Sequence, residues 1–195
     1  SPIGDVSLRS AYAQSKYYSE QEVWKGIDKG LNAVIVNPGV ILGYSGTDRG
    51  SSELFATVRK GLPFYTLGGS GYVAVDDVVK VMIELINSNV VGERFILVAE
   101  NCSNKEVIGW MAEGYGKRKP QILIGRKLLV TIGFFAELYQ KISGRSAKFD
   151  RSLARSASNR SWYSNKKIKN QTSYQFKTIE NCIKQVCVFE NSARK

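Results

Sequence analysis

The stretch Asn32-Ala33-Val34-Ile35-Val36-Asn37-Pro38-Gly39-Val40-Ile41-Leu42-Gly43 decides the fold class. From Leu31 to Val36 the residues are nearly all apolar, the pattern of a strand covered on both faces in a parallel sheet, which needs a neighbour along each edge. Asn37-Pro38-Gly39 then turns the chain abruptly. In an open α/β sheet this is where backbone meets a ligand, beyond the carboxyl end of a strand. Upstream, Tyr12 to Lys29 reads as a helix closed by Gly30. The order is helix, tight turn, buried strand.

The head of that helix carries the chemistry. Ala11-Tyr12-Ala13-Gln14-Ser15-Lys16 places a phenol and an ammonium four residues apart, so one helical turn stacks them on one face. A nearby positive charge favours a phenolate, and a phenol so placed can exchange a proton with a carbonyl or an alcohol. The bare spacing is weak, because the chain holds three such pairs. Tyr115 and Lys119 lie among helix-breaking Gly and Pro residues, and Tyr163 and Lys167 lie in a polar, basic run without apolar periodicity. Only Tyr12 and Lys16 head a helix that leads into a buried strand.

Three ordered motifs carry a resemblance: Tyr-Ala-Gln-Ser-Lys at 12–16, Asn-Pro-Gly-Val-Ile-Leu-Gly at 37–43, and Gly71-Tyr72-Val73-Ala74-Val75-Asp76-Asp77-Val78. Together they resemble the C-terminal half of extended short-chain dehydrogenases/reductases, nearest to the dihydroflavonol-reductase-like and NAD-dependent epimerase/dehydratase branch. The likeness is clear over residues 7 to 115 and fades beyond. It implies a partial Rossmann-like domain over 1–114 and a basic, mainly helical substrate-side region over 115–195. It also implies NAD or NADP as cofactor and a small carbonyl or alcohol as substrate. Tyr12 would be the acid/base. Lys16 would stabilise the phenolate and hold the nicotinamide ribose, and Asn37, Pro38, Gly39 and Val40 would lie beside the nicotinamide. Ser51 and Ser52 open a helix and read first as caps, with Ser52 also carried as a phosphate contact. Glu20 and Glu22 read as solvent-facing or helix-partner residues.

The same comparison exposes what the chain lacks. Such enzymes seat a pyrophosphate on a Gly-x-x-Gly-x-x-Gly turn after their first strand, and these 195 residues contain no such fingerprint. The usual catalytic Ser or Thr lies well upstream of the Tyr, and Ser7 and Ser10 are too close to Tyr12 to take its place. Arg94-Phe95-Ile96-Leu97-Val98-Ala99 is the one other convincing buried strand, with short extended pieces near Phe64–Leu67 and Tyr72–Val75. A doubly wound sheet cannot be completed from these. The expectation is a C-terminal portion of a Rossmann-like parallel sheet with a small helical lobe. Alone it should show no measurable dinucleotide affinity.

Composition closes off other classes. The chain has no His, which removes Ser-His-Asp catalysis and His-ligated metals, and its three Cys show no metal-ligand spacing. A reducing, cytoplasmic setting is the default, and no signal peptide is visible in the residues given. Ser103-Asn104-Lys105-Glu106 reads as a capping box, Asp76 or Asp77 as the cap of a preceding helix.

The net charge of +11 belongs to one segment. Residues 115–170 hold 14 Lys plus Arg against two acids, whereas 1–114 sum to −3 and 171–195 to +2. No RNP aromatic pattern or helix-turn-helix accompanies that charge, so nucleic acid is set aside as a partner. A solvated face is the plain reading. The apolar run Leu128–Ala136 between Arg126-Lys127 and Lys141, Arg145 is too short to span a bilayer, which leaves a buried lid helix or peripheral membrane contact through 126–145. A homodimer stays open. Three functions fit: a reductase of a hydrophobic ketone, a nucleotide-sugar epimerase or dehydratase, and an inactive remnant that binds ligands or membrane surfaces.

Overall fold

The computed structural model describes residues 11–44, 50–143 and 157–193, with backbone alone for 135–143. Ser7, Ser10 and Arg145 lie outside them. The expected α/β architecture is present.

Helix α1 (Ala11–Ile27) ends in a Schellman turn. Gly30 takes φ 95°, its N–H donates to Ile27 O at 2.9 Å, and the Leu31 N–H donates to Gly26 O at 3.0 Å. Strand β1 (Val34–Pro38) follows and pairs in parallel with β5 (Glu93–Leu97), Val36 opposite Phe95. At Gly39 the chain crosses into a second sheet. There β2 (Val40–Leu42) pairs in parallel with β4 (Gly69–Ala74), and β4 pairs antiparallel with β6 (Glu100–Ser103). A third, two-stranded sheet joins β3 (Phe64–Tyr65) to β7 (Ile122–Leu123) in parallel.

Helix α2 (Ser51–Arg59) lies between β2 and β3, and α3 (Val75–Ile86) between β4 and β5. Helices α4 (Asn104–Gly114) and α5 (Arg126–Ser143) flank β7, and α6 (Lys166–Gln171) and α7 (Ile179–Ala193) complete the described chain. The Ser103 capping box on α4 forms as its sequence requires.

Two apolar clusters hold these elements. Leu42, Phe55, Val58 and Tyr72 pack with Val107 and Met111 of α4 and with Ile183, Val186 and Cys187 of α7. The Glu100 carboxylate accepts the Ile179 N–H at 2.7 Å and so fastens the start of α7 to β6. Val73, Val78, Val81, Leu85, Phe95, Leu97 and Ile168 form the second cluster, between α3 and the β1–β5 sheet.

Two expected caps are corrected. The N-cap of α3 is Ala74, without a side-chain hydrogen bond, and Asp76 and Asp77 sit in the first turn. Asp77 is fully buried and accepts from the Tyr174 hydroxyl at 2.8 Å and the Lys177 N–H at 3.0 Å, so the C-terminal segment has taken the carboxylate that local sequence assigns to capping. The N-cap of α2 is Gly50 at φ 60°, with Ser51 and Ser52 already inside the helix.

The expectation that β1 has a neighbour along each edge is met on one. Among the described residues its other edge pairs with no strand, every β1 residue is only half-buried, and α1 has no fully buried residue. Alongside, α3 shows solvent a second apolar stripe of Val75, Val79, Met82, Ile83 and Ile86.

Candidate active site

Helix α1 runs back along β1. The seven residues from Ile27 to Glu20 rise about 10 Å, the same length as the three from Val34 to Asn37, and the Asn37 Nδ2 donates to Glu20 Oε2 at 3.1 Å. Tyr12 stands eight residues further up the helix, about 12 Å past that contact. The first turn of α1 therefore projects beyond the carboxyl end of β1, where open α/β sheets bind ligands.

Tyr12 and Lys16 are both exposed there, Tyr12 to 74%. The Lys16 Nζ lies 5.9 Å from the centroid of the Tyr12 ring, a cation–π contact at the outer limit of that interaction. The other two Tyr-x-x-x-Lys pairs are structural. Tyr115 donates its hydroxyl to the buried Glu190 at 2.7 Å, and burial together with that carboxylate pushes the phenol far above its ordinary range, while Lys119 pairs with Glu113. The Tyr163 backbone bonds Asn101, and Lys167 pairs with Glu93, with its Nζ 4.9 Å from the Phe95 ring centroid.

Asn37 and Pro38 end β1, and Gly39 makes the crossing between sheets. A Cβ at Gly39 would stand 2.3 Å from Gly71 O and 3.0 Å from Val98 Cγ2, so the backbones of Gly39 and Gly71 and the Val98 side chain converge at this floor. Val40 follows, exposed at the start of β2. Ser52 lies in the first turn of α2, buried at 4%. The exposed phenol, the exposed ammonium and the turn after β1 suit the nicotinamide-ribose end of a dinucleotide. The glycine-rich phosphate cradle is not in the sequence.

Local sequence reading missed Glu20. Its carboxylate, 17% exposed, accepts from Trp24 Nε1 at 3.2 Å and Asn37 Nδ2 at 3.1 Å, and pairs with Arg94 at 2.8 Å. Burial alone would push this carboxyl up; the hydrogen bonds from Arg94, Asn37 and Trp24, with the guanidinium charge, outweigh it and hold it below the usual range. The available signal was its spacing, four residues after Lys16 and eight after Tyr12 on one stripe.

No family model matches the chain. A curated relative, sterol demethylase protein B of Methylococcus capsulatus, is 28% identical over 130 residues, 65% of this chain and 39% of the relative. Among solved structures, a nucleoside-diphosphate-sugar epimerase from Pseudomonas aeruginosa superposes with a TM-score of 0.77 at 14% identity, over 98% of this chain and 59% of that one. UDP-glucose 4-epimerase from Thermus thermophilus, in complex with NAD, gives 0.62 at 18% identity, over 94% of this chain and 54% of that one. The chain spans less than two thirds of each. Its fold is that of the C-terminal part of Rossmann-like epimerase and short-chain dehydrogenase structures.

Proposed function

We propose that the protein carrying this chain is an NAD(P)-dependent oxidoreductase of the extended short-chain type, acting at a carbonyl or alcohol carbon. The observation that carries the reading is the Tyr12–Lys16 pair, stacked and exposed on the part of α1 that projects past the carboxyl end of β1. A bound nicotinamide would supply the hydride in reduction and accept it in oxidation. Tyr12 donates a proton to the carbonyl oxygen in reduction and takes one from the hydroxyl in oxidation. Lys16 would stabilise the phenolate by its charge and would hold the nicotinamide ribose through its ammonium. Asn37, Pro38, Gly39 and Val40 present the strand end to the same ring.

A hydrophobic ketone or its alcohol is the preferred substrate class. The curated relative is a sterol demethylase protein, and α5 exposes Leu128, Ile132 and Phe134 beside the cations Arg126 and Lys127. The exposed Leu128 and Ile132, one turn apart on α5, support the reading of peripheral contact with a membrane through residues 126–145; no helix among the described residues is long and apolar enough to cross one. Three free, buried cysteines suit the reducing cytoplasm.

A nucleotide-sugar epimerase or dehydratase is the second reading. It is favoured by the solved structures named above and by the excess of Lys and Arg over 115–170, which suits a diphosphate. The complete enzyme separates the two. Oxidation of NADH or NADPH with sterol-like ketones, and none of the nucleotide sugars turned over, supports the first; the reverse supports the second. Neither activity, with Tyr12 and Lys16 intact, contradicts both.

A further inference from the structure

We propose that Glu20 is a positioning residue for this site: its carboxylate clamps α1 to the carboxyl end of β1 and to β5, and so sets where Tyr12 and Lys16 stand. The inference rests on the oxidoreductase reading and adds to it the means by which the reacting groups are held.

Among the described residues, packing covers α1 only lightly. The helix has no fully buried residue, and β1 beneath it is only half-buried. Against that loose seat, Glu20 gathers three partners from three elements: Trp24 on its own helix at 3.2 Å, Asn37 on β1 at 3.1 Å and Arg94 on β5 at 2.8 Å. One of its oxygens meets Asn37, and the other meets Trp24 and Arg94, so both are engaged. All three donors meet the carboxylate, and the bond from Arg94, in which both partners are charged, is the strongest of them.

The clamp lies on the stripe that carries the chemistry. Tyr12, Lys16 and Glu20 follow at four-residue intervals, and Tyr12 is about 12 Å from Glu20 along the axis. At that lever arm a tilt of about 5° displaces Tyr12 by about 1 Å, and a displacement of that size can cost about a hundredfold in rate. Asn37 is fixed by the same carboxylate. The strand end proposed to meet the nicotinamide and the helix proposed to supply the proton thus share one anchor, whereas Glu22, on another face, pairs only locally with Lys25 at 2.7 Å with both side chains well exposed.

The test uses the complete enzyme, a substrate it turns over, and the variants Glu20→Ala, Glu20→Gln, Arg94→Lys and Glu22→Ala beside Tyr12→Phe. Glu20→Ala is expected to lower kcat roughly 10- to 100-fold with substrate KM within about threefold. Arg94→Lys, which keeps a cation, should stay within about threefold of wild type, and Glu22→Ala within about twofold. Where Glu20→Ala does not fold, the isosteric Glu20→Gln carries the test with a smaller loss in the same direction. The clamp is overturned if Tyr12→Phe abolishes turnover while both Glu20 variants keep wild-type kcat, if Glu22→Ala loses as much as Glu20→Ala, or if KM rises with kcat unchanged. A silent Tyr12→Phe removes the oxidoreductase reading itself, and the clamp with it.

Discussion

Replacing Gly39 by Ala puts a methyl group where there is no room for one. The added Cβ would stand 2.3 Å from Gly71 O, 2.9 Å from Gly71 C and 3.0 Å from Val98 Cγ2. Relief to an ordinary contact needs about 1 Å of movement. The nearest atom belongs to the backbone of β4, which cannot swing aside as a side chain would. Overpacking of this kind costs about 1–3 kcal/mol. Moving Gly39 also stretches its N–H···O bond to Leu97, 3.0 Å in the native chain, which adds about 1 kcal/mol. The sum is roughly 2–4 kcal/mol, and at about 2–4 °C per kcal/mol for a domain of this size it lowers the melting point by roughly 5–15 °C. Thermal and urea unfolding followed by circular dichroism read this directly. Gly125→Ala is the control, because a Cβ there meets nothing within 4 Å and Gly125 has no positive φ. A Gly39→Ala protein within about 0.5 kcal/mol of wild type would refute the close approach of Gly39 to the Gly71 backbone at the site's floor.

Three further outcomes follow from the packing. Asp77→Ala leaves the half-buried Tyr174 hydroxyl and Lys177 N–H without their acceptor and should cost about 1–3 kcal/mol, whereas Asp76→Ala, which loses one exposed pair with Lys177, should cost under about 1 kcal/mol by urea denaturation. Burial pushes the Tyr72 phenol and the Cys102 thiol up to about 12 and the Cys182 and Cys187 thiols up to about 11. The unfolded chain releases the thiol protons from about pH 9 while the folded chain keeps them, so their contribution is complete below pH 9 and is lost as pH rises through 11 to 12; melting points that stay flat from pH 8 to 11 would contradict this. Ile83→Lys with Ile86→Lys breaks the exposed stripe of α3 and should reduce self-association of the 195-residue chain in sedimentation velocity with little change in stability, and an unchanged sedimentation profile would show that the stripe is inert.

The fold was legible wherever one local signal sufficed. The apolar run ending at Val36 became β1, Gly30 closed α1 at a positive φ, and Ser103 with Glu106 formed its capping box. Where a residue's partner lies far along the chain, local reading failed. Asp77 has a first-turn acid's sequence context, yet its partners are Tyr174 and Lys177. Glu20 has the look of a helix-surface acid because Arg94 is 74 residues away. Strand β6, Glu-Asn-Cys-Ser, has neither alternation nor β-branched residues, and its pairing with Gly69–Tyr72 was not visible in its own composition. The Tyr12–Lys16 pair could be singled out only through its neighbours, since two other pairs with equal spacing serve packing and surface ion pairs.

The central claim is that Tyr12 moves the proton. Single-turnover and steady-state rates of the complete enzyme and its Tyr12→Phe variant, with cofactor affinity measured separately by titration, test it most directly. The account predicts a loss of roughly 10²–10⁴ in kcat with cofactor affinity nearly unchanged. Wild-type turnover without the Tyr12 hydroxyl would contradict it.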